Sequence, residues 1–132
     1  MMSAISRMLI VDDDSDDQFL YARLIKRSGF VVSLQQFTDA REAVGFIRAE
    51  PQQSIDVILL DINMPAMNGF AFLEEISTIY SDEAAPFVVC MLTSSLNPSD
   101  REKASSYAMV RHYCPKPLTM EKLDEIVQIV AS

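Results

Sequence analysis

No run in the 132 residues approaches the roughly 18 to 20 consecutive apolar positions that a membrane-spanning helix needs, which argues against a helical membrane protein. The start, Met1-Met2-Ser3-Ala4-Ile5-Ser6-Arg7, lacks the long apolar segment of a secretory leader, so a cytoplasmic location is expected. Cysteine is scarce: Cys90 and Cys114 have no metal-ligand spacing and lie in apolar, strand-like runs, where they read as reduced, buried thiols. The single histidine, His112, stands beside an aromatic in a strand-like run and reads as structural. Repeats, low-complexity tracts and linkers are also missing, and the length suits one domain with a substantial core.

Basic residues are outnumbered, 11 to 19, for a net charge of −8. The excess is local: setting aside Asp12, Asp13, Asp14, Asp16, Asp17 and Asp61 leaves 13 acids against 11 bases. The lack of a basic stripe argues against a nucleic-acid groove and for a site that concentrates cations.

The chain is organised around Val57-Ile58-Leu59-Leu60-Asp61. Four apolar residues in a row read as a strand buried on both faces, as in a parallel sheet covered by helices, and the run stops at a carboxylate. Pro65 and Gly69 then impose an irregular loop before helix resumes. Residues 8–11 form a similar short strand that ends at Asp12. Ser15 or Asp16 is expected to cap a first helix with Phe19, Leu20, Leu24 and Ile25 inward, stopped at Ser28-Gly29.

The remaining elements follow the same alternation. A strand at 30–37 precedes a helix capped by Thr38 or Asp39, carrying Ala43, Val44, Phe46 and Ile47 and ending before Pro51. Phe70, Phe72, Leu73, Ile76 and Ile79 form the third helix's apolar stripe. A strand at 87–92 runs into Thr93-Ser94-Ser95, and Pro98 opens an amphipathic but polar helix over about 99–108. A last strand at 111–115 is followed by Lys116-Pro117 and a helix capped by Thr119, with Leu123, Ile126, Val127 and Val130 inward. Five strands alternating with five helices predict an α/β fold, a doubly wound parallel sheet in the flavodoxin-like order 2-1-3-4-5 with helices on both faces. Ligands in such sheets sit at the carboxyl ends of the strands, in the crevice where strand order reverses.

Asp12, Asp13 and Asp61 at that edge would repel one another unless a cation intervenes. Mg²⁺ suits them, since it takes one or two carboxylates together with waters and phosphate oxygens. Asp14, Asp16 and Asp17 read as a solvated acidic loop. Thr93 and Lys116 add a hydroxyl donor and a fixed cation suited to a phosphorylated carboxylate.

Together Val11-Asp12-Asp13-Asp14, Leu60-Asp61 with Met64-Pro65-Ala66-Met67-Asn68-Gly69, Leu92-Thr93-Ser94, and Tyr113 with Lys116-Pro117 resemble a response-regulator receiver domain of the stand-alone, CheY-like kind. The resemblance spans about residues 7–130, implying a single receiver over 1–132 with no output domain. It implies that Asp61 accepts a phosphoryl group from a sensor histidine kinase or histidine phosphotransfer protein. Asp13, Asp61 and the Asn63 carbonyl would hold Mg²⁺, with Asp12 acting through water. Thr93 and Lys116 would grip the phosphoryl oxygens, and the Lys116-Pro117 bond would be cis. The chain would thus be a signalling phosphoacceptor rather than an enzyme. Its output would pass through a face of the fourth helix, last strand and last helix, including Arg101, Lys103, Arg111 and Lys122. As Thr93 moves inward, Tyr113 would turn from exposed to buried, opening this face to a downstream protein or a second copy. A monomer or weak homodimer is expected, with neither nucleic acid nor membrane as partner.

Met109-Val110 stands where many receivers have Gly-Ala, leaving the fourth helix without a glycine cap. Asn63 and Ser95, two residues beyond Asp61 and Thr93, are neither strong acids nor bases. Two alternatives are an unphosphorylated receiver-like interaction module and a phosphatase of the haloacid-dehalogenase type. The latter places a second Asp where this chain has Asn63.

Overall fold

The computed structural model describes residues 4–132, the side chain of Asp82 excepted. Met1, Met2 and Ser3, part of the segment read above for a leader, lie outside the described residues. The elements alternate strictly: β1 (Ile5–Val11), α1 (Ser15–Ser28), β2 (Val31–Phe37), α2 (Ala40–Ala49), β3 (Val57–Leu60), α3 (Gly69–Ile76), β4 (Val88–Thr93), α4 (Pro98–Ser105), β5 (Val110–Pro115) and α5 (Met120–Ala131). A 3₁₀ turn at Asp82–Ala84 precedes β4. All strand pairs are parallel, in the expected order β2-β1-β3-β4-β5. No helix among the described residues is long and apolar enough to cross a membrane.

Alternation along the strands splits the core into two layers. Leu9, Val11, Ile58, Leu60, Val89 and Met91 face α2 and α3, meeting Ala43, Val44, Ile47, Phe72, Leu73 and Ile76. Met8, Ile10, Val57, Leu59, Cys90, Leu92 and Cys114 face α1 and α5, meeting Tyr21, Ile25, Leu123, Ile126 and Val127. β3 is buried at every position, as its unbroken apolar run requires. Both cysteines are free and buried, and burial pushes the Cys90 thiol up to about 12.

The first helix departs from the reading above. Its cap is Asp14, whose side chain accepts from the N–H groups of Asp16 and Asp17; neither Ser15 nor Asp16 caps it. Phe19 and Leu20 are 63% and 57% exposed, and the inward face is Gln18, Tyr21 and Ile25. At 100° per residue, positions 18, 21 and 25 share one face, whereas 20 lies nearly opposite 18. Once Gln18 is drawn inward by the backbone groups described below, Phe19 and Leu20 must point out. Gly29 stops the helix in the left-handed region at φ +72°, as expected.

The fourth helix is also shorter than read. It ends at Ser105, and its inward face is reduced to Ala104, so it is polar without being amphipathic. In place of a glycine cap, the Ser106 N–H reaches back to the carbonyls of Lys103 and Ala104, and Tyr107 N donates to Ala104 O at 3.2 Å. This tight turn then delivers Met109, which is buried, into the core.

The loop between β3 and α3 is drawn tight against the sheet edge. Gly69 N donates to Ile62 O at 2.8 Å, and a Cβ on Gly69 would lie 2.4 Å from the Asp61 carbonyl oxygen. Backbone must therefore move if any side chain is added. Gly69→Ala is expected to destabilise the fold by about 1–3 kcal/mol in urea unfolding, the usual cost of overpacking. An unchanged midpoint would mean that the loop relaxes freely.

Candidate functional site

Val11 and Leu60 are register partners at the ends of neighbouring parallel strands, so the residues that follow them, Asp12 and Asp61, emerge side by side. Backbone bonds fix both: Asp12 N donates to Phe37 O at 3.1 Å and Asp61 N to Val11 O at 3.0 Å. Their side chains are buried, whereas Asp13 is exposed. One carboxylate oxygen from each of Asp12, Asp13 and Asp61 lies within 4.8 Å of the others. This is a donor set of hard oxygens with one open side, which fits a Mg²⁺ ion that keeps several of its waters.

The last two strands complete the edge. Thr93, fully buried at the end of β4, accepts the Ser95 N–H on its hydroxyl at 3.0 Å. Its backbone carbonyl accepts the Lys116 N–H at 2.9 Å. Among the described residues no hydrogen bond links the Thr93 side chain to Asp61. Lys116, just beyond β5, points its ammonium into the carboxylates, 2.9 Å from Asp12 Oδ2, 2.9 Å from Asp17 Oδ2 and 3.3 Å from Asp61 Oδ2. The Lys116-Pro117 bond is cis, as expected, and Lys122 Nζ donates to the flanking carbonyls of Pro115 and Pro117 at 2.6 and 2.8 Å.

Electrostatics here are a contest between burial and pairing. Burial raises the Asp12 carboxyl above its ordinary value and outweighs the Asp14 N–H and the Lys116 ammonium, which pull it down. Asp61 is raised in the same way, against Lys116 and the N–H groups of Ile62 and Asn63. For Lys116, burial favours the neutral amine, but hydrogen bonds to Asp12 and Asp17 and the charge of Asp61 overcome it and hold the pKa above the ordinary value. The ammonium is thus charged at any physiological pH.

Two residues escaped the sequence reading. Asp17 is not part of a solvated loop but a direct partner of Lys116. Gln18, 5% exposed, places its side-chain amide among the carbonyls of Ile10, Asp12 and Phe37. The available signal was positional: the cap at Asp14 sets the first turn of α1 directly over the end of β1.

Tyr113 is half-buried against the core, with its hydroxyl enclosed and the Arg101 guanidinium 5.4 Å from its ring centre. A cavity of about 320 Å³ beside it is lined by Ser95, Leu96, Pro98, Arg101 and Pro115, and Leu96 is 91% exposed. The four cations expected on this face are not equivalent. Arg101 covers Tyr113, Lys103 Nζ sits 4.6 Å from the Phe70 ring centre, and Lys122 is bonded as described, while Arg111 is exposed. His112 lies 3.4 Å from Glu125 across β5 and α5.

Residues 8–128 match the family described as the response regulator receiver domain. A two-component response regulator from Cytophaga hutchinsonii has a solved structure similar to this one, with a TM-score of 0.87 and 30% identity over 96% of both chains. A response regulator receiver protein from Dyadobacter fermentans is similar at a TM-score of 0.79 and 31% identity, over 95% of this chain and 97% of that one. A probable chemotaxis protein CheY from Rhizobium etli is 26% identical over 94% of this chain and 91% of its own length. Other relatives are much longer: the chain spans 24% of a protein-glutamate methylesterase/protein-glutamine glutaminase from Agrobacterium fabrum and 7% of a hybrid signal transduction histidine kinase from Dictyostelium discoideum. None of these supports the haloacid-dehalogenase alternative.

A carboxyl whose pKa is raised by folding contributes stability that is complete below its unfolded value, near 3.8, and lost as pH climbs through the folded value. Asp61→Asn keeps a neutral group at all pH. The variant is therefore expected to gain stability over the natural chain at pH 7 and to lose that advantage towards pH 4, read as the difference between two urea midpoints. An advantage that grows on acidification would mean that pairing with Lys116 outweighs burial.

Proposed function

The chain belongs to the response-regulator receiver family of two-component signalling, and on that premise we propose that Asp61 is its phosphoacceptor. The observation that carries this reading is the reach of Lys116 to both Asp12 and Asp61 across three strand ends. An Asp61 carboxylate oxygen attacks the phosphorus of a partner's phosphohistidine, the phosphorus–nitrogen bond breaks, and imidazole leaves as an acyl phosphate forms. Lys116 is charged and already within reach of the carboxylate, so its ammonium meets the phosphoryl oxygens with little reorganisation. Asp13, Asp61 and the Asn63 carbonyl would hold Mg²⁺ directly, with Asp12 acting mainly through water, and the ion when bound would supply neutralising charge for the transfer. Thr93 donates its hydroxyl to a phosphoryl oxygen once released from Ser95 N–H.

Output in this reading runs through Tyr113 and the face of α4, β5 and α5 towards a protein partner or a second copy. Receiver domains work with histidine kinases and downstream effectors, and this chain is proposed to act as one receiver unit in the cytoplasm without binding nucleic acid or membrane. As a signalling phosphoacceptor it catalyses only its own phosphorylation and slow dephosphorylation. An unphosphorylated interaction module is the competing outcome of the experiments below.

Given a small-molecule phosphodonor and Mg²⁺, the natural chain is expected to gain about 80 Da, one phosphoryl group, as a hydroxylamine-sensitive adduct in intact-mass spectra. Asp61→Asn should gain none, and labelling of that variant at the natural rate sinks the reading.

Asp13→Ala is expected to weaken Mg²⁺ binding and Mg²⁺-dependent labelling together while leaving the fold as stable or more so, because one of several crowded charges is gone. Normal labelling of this variant would move the metal elsewhere.

With beryllofluoride, a phosphoryl mimic, amide NMR shifts should extend from the Asp61 loop to Tyr113 and residues 100–125. Shifts confined to the loop would remove the switch.

A further inference from the structure

We infer that Gln18 is a positioning residue for the cation site, acting through the Asp12–Asp13 peptide. This rests on the Mg²⁺ site proposed above. The starting observation is that no hydrogen bond or ion pair among the described residues holds the Asp13 carboxylate, although it is the most exposed of the three acids. Its place is set by its backbone alone. The Asp12 carbonyl and the Asp13 nitrogen share one rigid peptide plane, so whatever orients that carbonyl aims Asp13.

Gln18 does this from inside the protein. Its Nε2 donates to Asp12 O at 3.0 Å and to Phe37 O at 2.9 Å, with Ile10 O at 3.4 Å. Phe37 O also accepts the Asp12 N–H, so Asp12 is held at both ends, at its carbonyl directly and at its N–H through a shared acceptor. The amide itself cannot turn over: Gln36 Nε2 donates to Gln18 Oε1 at 2.6 Å and to Gln18 O at 2.7 Å, which assigns oxygen to one side and nitrogen to the other. A buried, fully bonded amide resists displacement because each lost bond would leave an unpaired polar group away from water. Gln18 and Gln36 thus brace the acidic loop against the edge of β2, and divalent-cation affinity depends on them although neither touches the ion.

The test measures Mg²⁺ affinity by amide NMR titration, with thermal midpoints recorded in the absence of metal. Gln18→Met keeps length and helix compatibility but removes both donors, and its dissociation constant is expected to rise about tenfold, the usual effect of removing support behind a metal ligand. Gln36→Val, at an exposed position on the edge strand, leaves Gln18 without its Oε1 partner and should raise the constant about threefold with the fold kept. Ile76→Val, a core change at the end of α3, should lower the midpoint yet leave Mg²⁺ affinity as it was. Natural affinity in both glutamine variants, or an equal loss in Ile76→Val, would overturn the positioning role. A natural chain that binds no Mg²⁺ at the three acids would instead overturn the functional reading on which it rests.

Discussion

One ammonium facing three carboxylates is the interaction on which the edge of this sheet depends. Register forces Asp12 and Asp61 to emerge together from β1 and β3, and the helices around them strip away solvent. Two buried like charges in that position raise each other's free energy on top of the desolvation that each would meet alone. Lys116 resolves the conflict from the opposite side of the crevice, brought there by the turn after β5. It does so incompletely: three carboxylates against one ammonium, with Asp13 nearby, leave a net negative concavity. That residual charge suits the cluster to a divalent cation, and the ammonium already in place offers a positive partner to anionic oxygens brought there.

The two sides of the molecule are held with different strength. β1, β3 and the layers against them are sealed at almost every position. α4, by contrast, buries Ala104 alone, and its cations Arg101 and Lys103 lie over the rings of Tyr113 and Phe70. Contacts of that kind are worth about 0.5–1 kcal/mol each at exposed sites, little beside a packed aliphatic stripe. An element with so few buried contacts belongs to the part of a fold that opens or shifts at low cost. In the proposed reading this weakness lies where a change at Asp61 would have to be felt, beside Thr93 and Tyr113.

The five strands, the five α-helices and their order were legible in the sequence because the central strand is an uninterrupted apolar run, the others are short apolar-rich stretches bounded by turn residues, and each helix has a cap or a stop. Where a single side chain competed for the same role, the reading failed. Phe19 and Leu20 are apolar and Gln18 is not, so hydropathy turns α1 the wrong way; the backbone carbonyls at the end of β1 demand a donor, and that demand wins. Likewise the missing glycine after α4 pointed to an uncertain end, but only the packing of Met109 shows why the helix stops at Ser105.

The sequence by itself determined the α/β alternation, the parallel sheet and the strand-end placement of Asp12, Asp61, Thr93 and Lys116, because hydrophobic period and turn chemistry are local properties. Tertiary structure alone decided that Asp17 meets Lys116 across 99 positions of chain and that Gln18 braces the Asp12 carbonyl. It also decided that Lys122 turns to the carbonyls of Pro115 and Pro117 rather than to solvent. Charges and amides carry no period. Which partner each one finds depends on what the folded backbone leaves unsatisfied within about 3 Å of it, and that exists only once the strands are in register.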